Sequence, residues 1–235
     1  MLGYVWSLIK PLAYFGVLYV MFVELFGQKQ NDFPLQLLLG VVVYTFFSEA
    51  TSLALGSIAG NSHLIRKASL PLSALTVSAT VTALLTFVIN LLLVMLIVVV
   101  AGKFRPSPAL LAVPLLLVEL YALALGMGML LASAFVFFRD FGQVWEVLSS
   151  LLLYAVGVVF PALRVPARLR PVFFADPLAQ IIEDLRHALV TPAAPWSVDL
   201  AGIGSFFIAV ALAIACFVAG LLLFNRLAPY FAESL

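Results

Sequence analysis

The chain has 235 residues, of which 65% are hydrophobic and 10% charged, with a formal net charge of +1. A soluble domain carries about 45–50% apolar and about 25% charged residues, so this composition excludes a water-soluble globular protein. The near-neutral charge and the lack of a dense basic stripe give no sign of a nucleic-acid partner. A single cysteine, Cys216, excludes an intrachain disulfide and gives no basis for a cysteine-built metal site.

A bilayer core about 30 Å thick needs about 20 apolar residues per helix, and runs of that length recur here. Backbone groups in hydrocarbon must bond to one another, which leaves helices or a closed barrel. Barrel strands alternate in polarity, whereas VINLLLVMLIVVV at 88–100 is apolar everywhere but Asn90. The expectation is an all-α, polytopic membrane protein. The N-terminus lacks a basic leader and a small-residue cleavage site, so it reads as a retained span rather than a signal peptide.

In chain order, the first span is expected near 11–27, with Pro11 in the first turn, and QKQND closes it. A second runs over about 35–59 and carries Glu49, with Gly56 and Gly60 at the G-x-x-x-G spacing that serves helix packing. A polar, basic elbow at 60–71 follows. The third span, 72–100, opens after Pro71; its 29 residues measure about 43 Å, so it must tilt or project beyond the hydrocarbon. AGKFRPSP then reads as a loop. The fourth span, about 109–138, holds Pro114, Glu119 and the small pair Gly126 and Gly128, and stops at Arg139 and Asp140. The fifth covers about 142–160. Between 161 and 200 the chain mixes Pro161, Pro166, Pro171, Pro177, Pro192 and Pro195 with apolar patches too short to cross, which suits re-entrant half-helices buried against protein. A last span, 201–224, ends at Asn225 and Arg226. Six spans place both termini on one side.

Charge alone argues weakly about which side. The face with the elbow and the termini holds Lys10, Arg66, Lys67, Arg139 and Arg226, against Lys29, Lys103, Arg105, Arg164, Arg168, Arg170 and Arg186 opposite. By the positive-inside rule the elbow would face outward. Glu24, Glu49 and Glu119 lie in or at the ends of spans, where a charge costs about 2.5–3.5 kcal/mol or more at mid-membrane. They read either as a proton or ion relay or as neutral, hydrogen-bonded or interfacial carboxyls. Both histidines, His63 and His187, lie outside the spans, and neither H-E-x-x-H nor a G-x-x-x-x-G-K-[ST] phosphate loop occurs, which argues against a membrane enzyme and against an ATPase site in this chain. A secondary transporter should show repeated halves with broken helices, and no such repeat appears.

LGYVWSLIKPL at 2–12, FFSEATSLALGSIAGNSHLIRKASLPLSAL at 46–75, FVFFRDFGQV at 135–144 and FADPLAQIIEDLRHALV at 174–190 together resemble the membrane subunit of type-2 (ABC-2) exporters. The likeness is strongest to permeases that export O-antigen, teichoic acid and related lipid-linked polysaccharides, with a type-2 exporter of drugs or small lipids as the alternative. Family members usually carry a cytoplasmic amphipathic segment ahead of the L-G-Y-x-W-S stretch, on which this sequence opens.

The resemblance implies six spans in a bacterial cytoplasmic membrane, cytoplasmic termini, a second copy of the chain completing the pore, and a separate cytoplasmic ATPase dimer that holds ATP and Mg²⁺. It overrides the charge count on orientation. It also implies that Asn61, Ser62, His63, Leu64, Ile65, Arg66 and Lys67 form a coupling helix seated in the ATPase. Asn61 or Ser62 would cap it, Leu64 and Ile65 would anchor it, and Arg66 and Lys67 would meet acidic groups. Arg139 and Asp140 are a candidate cytoplasmic gate pair, or simply a helix-end stop. Rings that line a glycan path are sought among Tyr14, Tyr19, Tyr44, Phe46, Phe47, Tyr121 and Tyr154, although interface belts account for many membrane aromatics. The resemblance further implies that 161–200 folds back into the outer half of the membrane as gate helices, beside which Arg164, Arg168 and Arg170 would meet lipid phosphates or anchor at headgroups.

Overall fold

The computed structural model describes residues 2–25, 27, 32–61, 71–192 and 194–234, and no strand occurs among them. Helix α1, Leu2–Tyr19, continues as a wider π-helical turn over Val20–Leu25. It starts ahead of the expected span, so Pro11 lies inside the helix and not in its first turn. Next come α2 at Phe33–Ser57, α3 at Leu72–Val100, α4 at Val113–Phe137 with a 3₁₀ lead-in over Pro108–Ala112, and α5 at Phe141–Ala155. Four helices are long and apolar enough to cross a bilayer among the described residues: Phe33–Ser57, Leu72–Val100, Pro108–Phe137 and Ile203–Phe231; Ile9–Phe22 is a shorter apolar one. The protein is a multi-pass membrane protein.

α2 is the hub. It packs against α1, α3, α4 and α5, and its first half has no lipid face: Leu37, Leu38, Leu39, Val41, Val42 and Val43 are all buried. α3 reads as apolar on every side in sequence, yet only a stripe is buried, through Thr76, Thr80, Ala83, Phe87, Asn90, Val94 and Val98. Its polar members point inward because lipid offers them no hydrogen bonds, while protein neighbours do. Ser57 Oγ and Thr76 Oγ1 share a bond of 3.0 Å, and Thr80 Oγ1 and Tyr121 Oη one of 3.2 Å.

Close helix approach falls on different glycines from those the spacing suggested. Among the described residues, nothing lies within 4 Å of a Cβ built on Gly56 or Gly60. A Cβ on Gly128 would sit 2.6 Å from Ala54 Cβ, holding α4 against α2. On its other side α4 meets the long last helix, α9 at Ile203–Ser234, where a Cβ on Gly126 would lie 2.5 Å from Phe217 Cα and one on Gly220 would lie 2.3 Å from Gly126 O. Only hydrogen fits at these two positions.

α5 has 15 residues and measures about 22 Å, so the helix stops short of the expected end at 160. Val156, Val158 and Val159 follow it in irregular, buried chain, turned by Gly157 at φ +74°. The segment from 161 to 200 then breaks into short 3₁₀ turns at Ala162–Arg164 and Ala167–Leu169, a single helical turn α6 at Arg170–Phe173, the amphipathic α7 at Pro177–Leu189, and α8 at Ser197–Ala201. Gly202 at φ +84° turns the chain into α9.

Candidate functional site

α7 begins on a true cap: Asp176 Oδ1 accepts from the backbone N–H of Leu178 at 2.8 Å and of Ala179 at 3.0 Å. Further along lies Arg186, 1% exposed, each of whose three guanidinium nitrogens donates a hydrogen bond. Nε donates to the Gln36 carbonyl at 3.1 Å, Nη2 to the Val158 carbonyl at 2.8 Å, and Nη1 to Glu183 Oε2 at 3.1 Å. One side chain thus ties α7 to α2 and to the irregular chain after α5. Gly40 leaves the room for it, since a Cβ there would come 2.9 Å from Nη2. Burial pushes the Glu183 carboxyl above its ordinary range, and the adjacent guanidinium opposes that rise. Asp184 accepts from Gln180 Nε2 at 2.7 Å, Ser197 N at 2.8 Å and Ser197 Oγ at 3.0 Å, so it joins α7 to the start of α8. From sequence Arg186 stands out only as one of the charges of the 161–200 segment. The signal that could have found this cluster is E-D-L-R inside the amphipathic Q-I-I-E-D-L-R-H run, with Glu and Arg at i,i+3 spacing.

The other half of α2 faces a polar cavity of about 410 Å³ between α1, α2 and α5. α1 contributes Lys10 and Tyr14; α2 contributes Tyr44, Thr45, Ser48 and Ser52; α5 contributes Trp145, Glu146, Ser149 and Ser150. Tyr44, Ser48 and Ser52 recur every fourth residue, and Gly142, Trp145, Glu146, Ser149 and Ser150 follow the i, i+3, i+4, i+7, i+8 pattern, so each set forms one helix face. The walls are pinned by Tyr44, whose hydroxyl donates to the Ser149 carbonyl. Ser150 Oγ donates to the Glu146 carbonyl at 2.8 Å and Ser149 Oγ to the same carbonyl at 3.2 Å, so both hydroxyls keep their lone pairs free to accept. Trp145 is 6% exposed and packs edge-on against Phe47 at 6.3 Å, while its indole N–H has no partner among the described residues. No ion pair joins Lys10 or Glu146 to another described residue.

Of the aromatics considered from sequence, Tyr14 and Tyr44 stand on the wall of this groove. Tyr14 also borders, with Tyr154, an apolar cleft between α1 and α5. Tyr19 packs on Phe15 at 5.7 Å. Phe46 and Phe47 are core residues instead, buried against Phe87 and Trp145, because the hydroxyl stripe of α2 passes one residue to either side of them. Tyr121 turns toward Thr80 between α3 and α4.

Glu49 is half-buried next to Ser48 and does not line the groove, and Glu119 belongs to a separate cavity shared with Asp184. Arg139 and Asp140 are exposed at the junction of α4 and α5. The Arg139 guanidinium lies 5.5 Å above the Phe135 ring, and no ion pair links it to Asp140. Arg164 and Arg168 are exposed on the 3₁₀ turns, whereas Arg170 donates to the carbonyls of Val165 at 3.0 Å and Leu163 at 3.3 Å. In the elbow, Asn61 Nδ2 donates to the Ser57 carbonyl at 2.8 Å, closing the end of α2. Ser62, His63, Leu64, Ile65, Arg66 and Lys67 lie outside the described residues.

Residues 1–190 match the family model described as ABC-2 type transporter. Over 235 residues the chain is 23% identical to an O-antigen export system permease protein RfbA of Klebsiella pneumoniae, covering 99% of this chain and 87% of that protein. It is 26% identical over 160 residues to an O-antigen export system permease protein RfbA of Myxococcus xanthus, covering 68% and 61%. A polysialic acid transport protein KpsM of Escherichia coli is 26% identical over 192 residues, with 80% of this chain and 74% of that protein covered.

Proposed function

The chain belongs to the ABC-2 type transporter family, and from that premise we propose that it is the membrane subunit of an ATP-driven exporter of a lipid-linked polysaccharide. The observation that carries this reading is the groove between α1, α2 and α5: a hydroxyl-rich, aromatic surface inside an otherwise apolar bundle. A sugar offers ring faces of C–H bonds and a rim of hydroxyls. Tyr14 and Tyr44 supply flat surfaces, while Ser48, Ser52, Ser149 and Ser150 exchange hydrogen bonds with whichever hydroxyl passes. Transport needs binding that is favourable enough to admit the chain and weak, repeated enough to release it. Neutral hydroxyls repeated along two helix faces meet that demand, with Lys10 and Glu146 as the charged members of the wall.

The groove is open on one side, and a second copy of the chain closes it in this reading. Energy comes from a cytoplasmic ABC ATPase dimer that carries ATP and Mg²⁺; the present sequence contains no phosphate-binding loop of its own. The elbow at 60–71 is the lever, with Leu64 and Arg66 as its contacts, which puts that elbow and both termini in the cytoplasm of a bacterial inner membrane. Arg139 and Asp140 sit at the cytoplasmic mouth, and Arg164, Arg168 and Arg170 near the exit. The names of the relatives, O-antigen and polysialic acid transport proteins, favour a glycan over a drug as cargo.

The test is transport of a lipid-linked glycan into inverted vesicles that hold the chain with its cognate ATPase. ATP should drive uptake. Joint replacement of Leu64 and Arg66 by alanine should leave insertion and ATP hydrolysis in place and stop uptake. If no nucleotide-binding subunit copurifies and an ion gradient alone drives transport, the reading is wrong.

A further inference from the structure

The groove between α1, α2 and α5 carries two opposite charges that no described residue matches. α2 packs against both α1 and α5, so it forms the floor, and α1 and α5 stand as two banks of the cavity of about 410 Å³. Lys10 lines it from the α1 bank and Glu146 from the α5 bank, and both residues are exposed. The ion pairs among the described residues lie elsewhere, between Lys103 and Asp32 and between Arg186 and Glu183. Ser149 and Ser150 bond to the backbone carbonyl of Glu146 and leave its carboxylate without a counter-charge.

The apolar residues on these banks say nothing about a partner. Tyr14 and Val17 on α1 and Val147 and Leu151 on α5 are half exposed or more, but lipid covers such groups without penalty. A lysine and a glutamate differ, because charges within a membrane chain pair with one another or face a watery cavity. Lys10 lies about 12 Å along α1 from Leu2, and Glu146 about 7.5 Å along α5 from Phe141. Since they border one cavity, they sit at similar depth. Rotation by a two-fold axis along the membrane normal keeps that depth and exchanges the banks. It sets α1 of one copy before α5 of the other, and in such an interface each contact occurs twice. A second copy over the open side therefore brings a carboxylate to Lys10 and an ammonium to Glu146.

We propose that a second copy of this chain is locked over the groove by two symmetric ion pairs, Lys10 with the partner's Glu146 and Glu146 with the partner's Lys10. The proposal rests on the reading that a second copy closes the groove, and it names the residues that fix how it closes. Complementary charges of this kind set register and choice of partner. Here they select α1 against α5 at one height, and reject α1 against α1 or α5 against α5, which would juxtapose like charges. The groove of a single copy is then incomplete, because each bank draws its counter-charge from the other copy.

The experiment coexpresses two differently tagged full chains in a Cys216→Ala background, one with Lys10→Cys and the other with Glu146→Cys. Oxidation in native membranes should yield a crosslinked pair that carries both tags. A chain with both cysteines, diluted with chains that have none, detects a bond formed within one copy. Self-association is then followed by energy transfer between labelled full chains in liposomes as the protein-to-lipid ratio falls. A charge-assisted bond corresponds to about tenfold in affinity, so Lys10→Glu or Glu146→Lys, each of which breaks both pairs, should weaken the dimer about a hundredfold. Lys10→Glu with Glu146→Lys should restore it. Lys10→Glu with Asp140→Lys should not, because Asp140 is off the groove wall. Should a reversed chain fail to insert, Lys10→Gln with Glu146→Gln replaces it and should weaken the dimer about tenfold or more. A crosslink found only within single chains, or a dimer whose affinity ignores these charges, overturns the proposal and leaves the second-copy reading standing. A wild-type chain that stays single at every ratio overturns both.

Discussion

The two halves of α2 differ in sequence and in surroundings: Phe33–Val43 is apolar but for Gln36, whereas Tyr44–Ser52 carries Tyr44, Thr45, Ser48, Glu49, Thr51 and Ser52. From Phe33 to Val43 the helix is enclosed, and Arg186, which reaches it from α7, donates to the Gln36 and Val158 carbonyls and to Glu183. From Tyr44 to Ser52 the same helix turns a hydroxyl stripe to open space, and its neighbour Trp145 keeps a buried indole N–H without a partner. A buried donor left unpaired costs about 1–3 kcal/mol. The dry half bears such a cost once, at Gln36 Nε2, which is enclosed by protein and has no partner among the described residues; beside the groove the unpaired indole N–H belongs to a residue that lines open, hydroxyl-rich space, and that is how a binding surface differs from a structural one.

The largest effect should come from breaking the dry half. Arg186→Met leaves Glu183 buried with no counter-charge, and a loss of about 3–5 kcal/mol is expected, read as a lower unfolding midpoint or aggregation in detergent. Adding Glu183→Leu to that variant should recover part of the loss, because two apolar residues of similar volume replace a buried ion pair at little cost. Gly40→Val comes next: its Cβ meets a guanidinium that three acceptors hold in place, so about 1–3 kcal/mol should be lost by thermal unfolding. In the wet half the same measurement should barely move. Trp145→Phe removes the unpartnered N–H and keeps most of the packing on Phe47, so the midpoint should hold or rise slightly while glycan transport falls severalfold. The smallest effect is Ser52→Ala, an exposed groove residue, expected within about 0.5 kcal/mol of wild type. A large stability loss from either groove variant would erase the distinction between the halves.

Much of this was legible beforehand. Apolar runs announced helices in a membrane, and Arg139 and Asp140 marked the end of α4. Helix ends shifted where local signals compete: Pro11 looked like a start but sits within α1, and the apolar run after Tyr154 looked like more span but breaks at Gly157. The glycine spacing at Gly56 and Gly60 pointed to packing that falls instead on Gly126, Gly128 and Gly220, since spacing tells which residues share a face and not which face meets a neighbour. By residue type alone Phe46 and Phe47 are path candidates like Tyr44, and a helix rotation of one or two residues turns them from the groove into the core.

Composition and run length by themselves settled that the chain lives in lipid as helices, because hydrocarbon tolerates no unpaired backbone and that constraint acts on every segment independently of its partners. Tertiary structure alone decided which side of each helix is wet, dry or facing lipid, and which charges are bonded. Those outcomes depend on groups distant in sequence, such as Gln36 and Arg186, arriving within hydrogen-bonding reach, and no local pattern encodes that meeting.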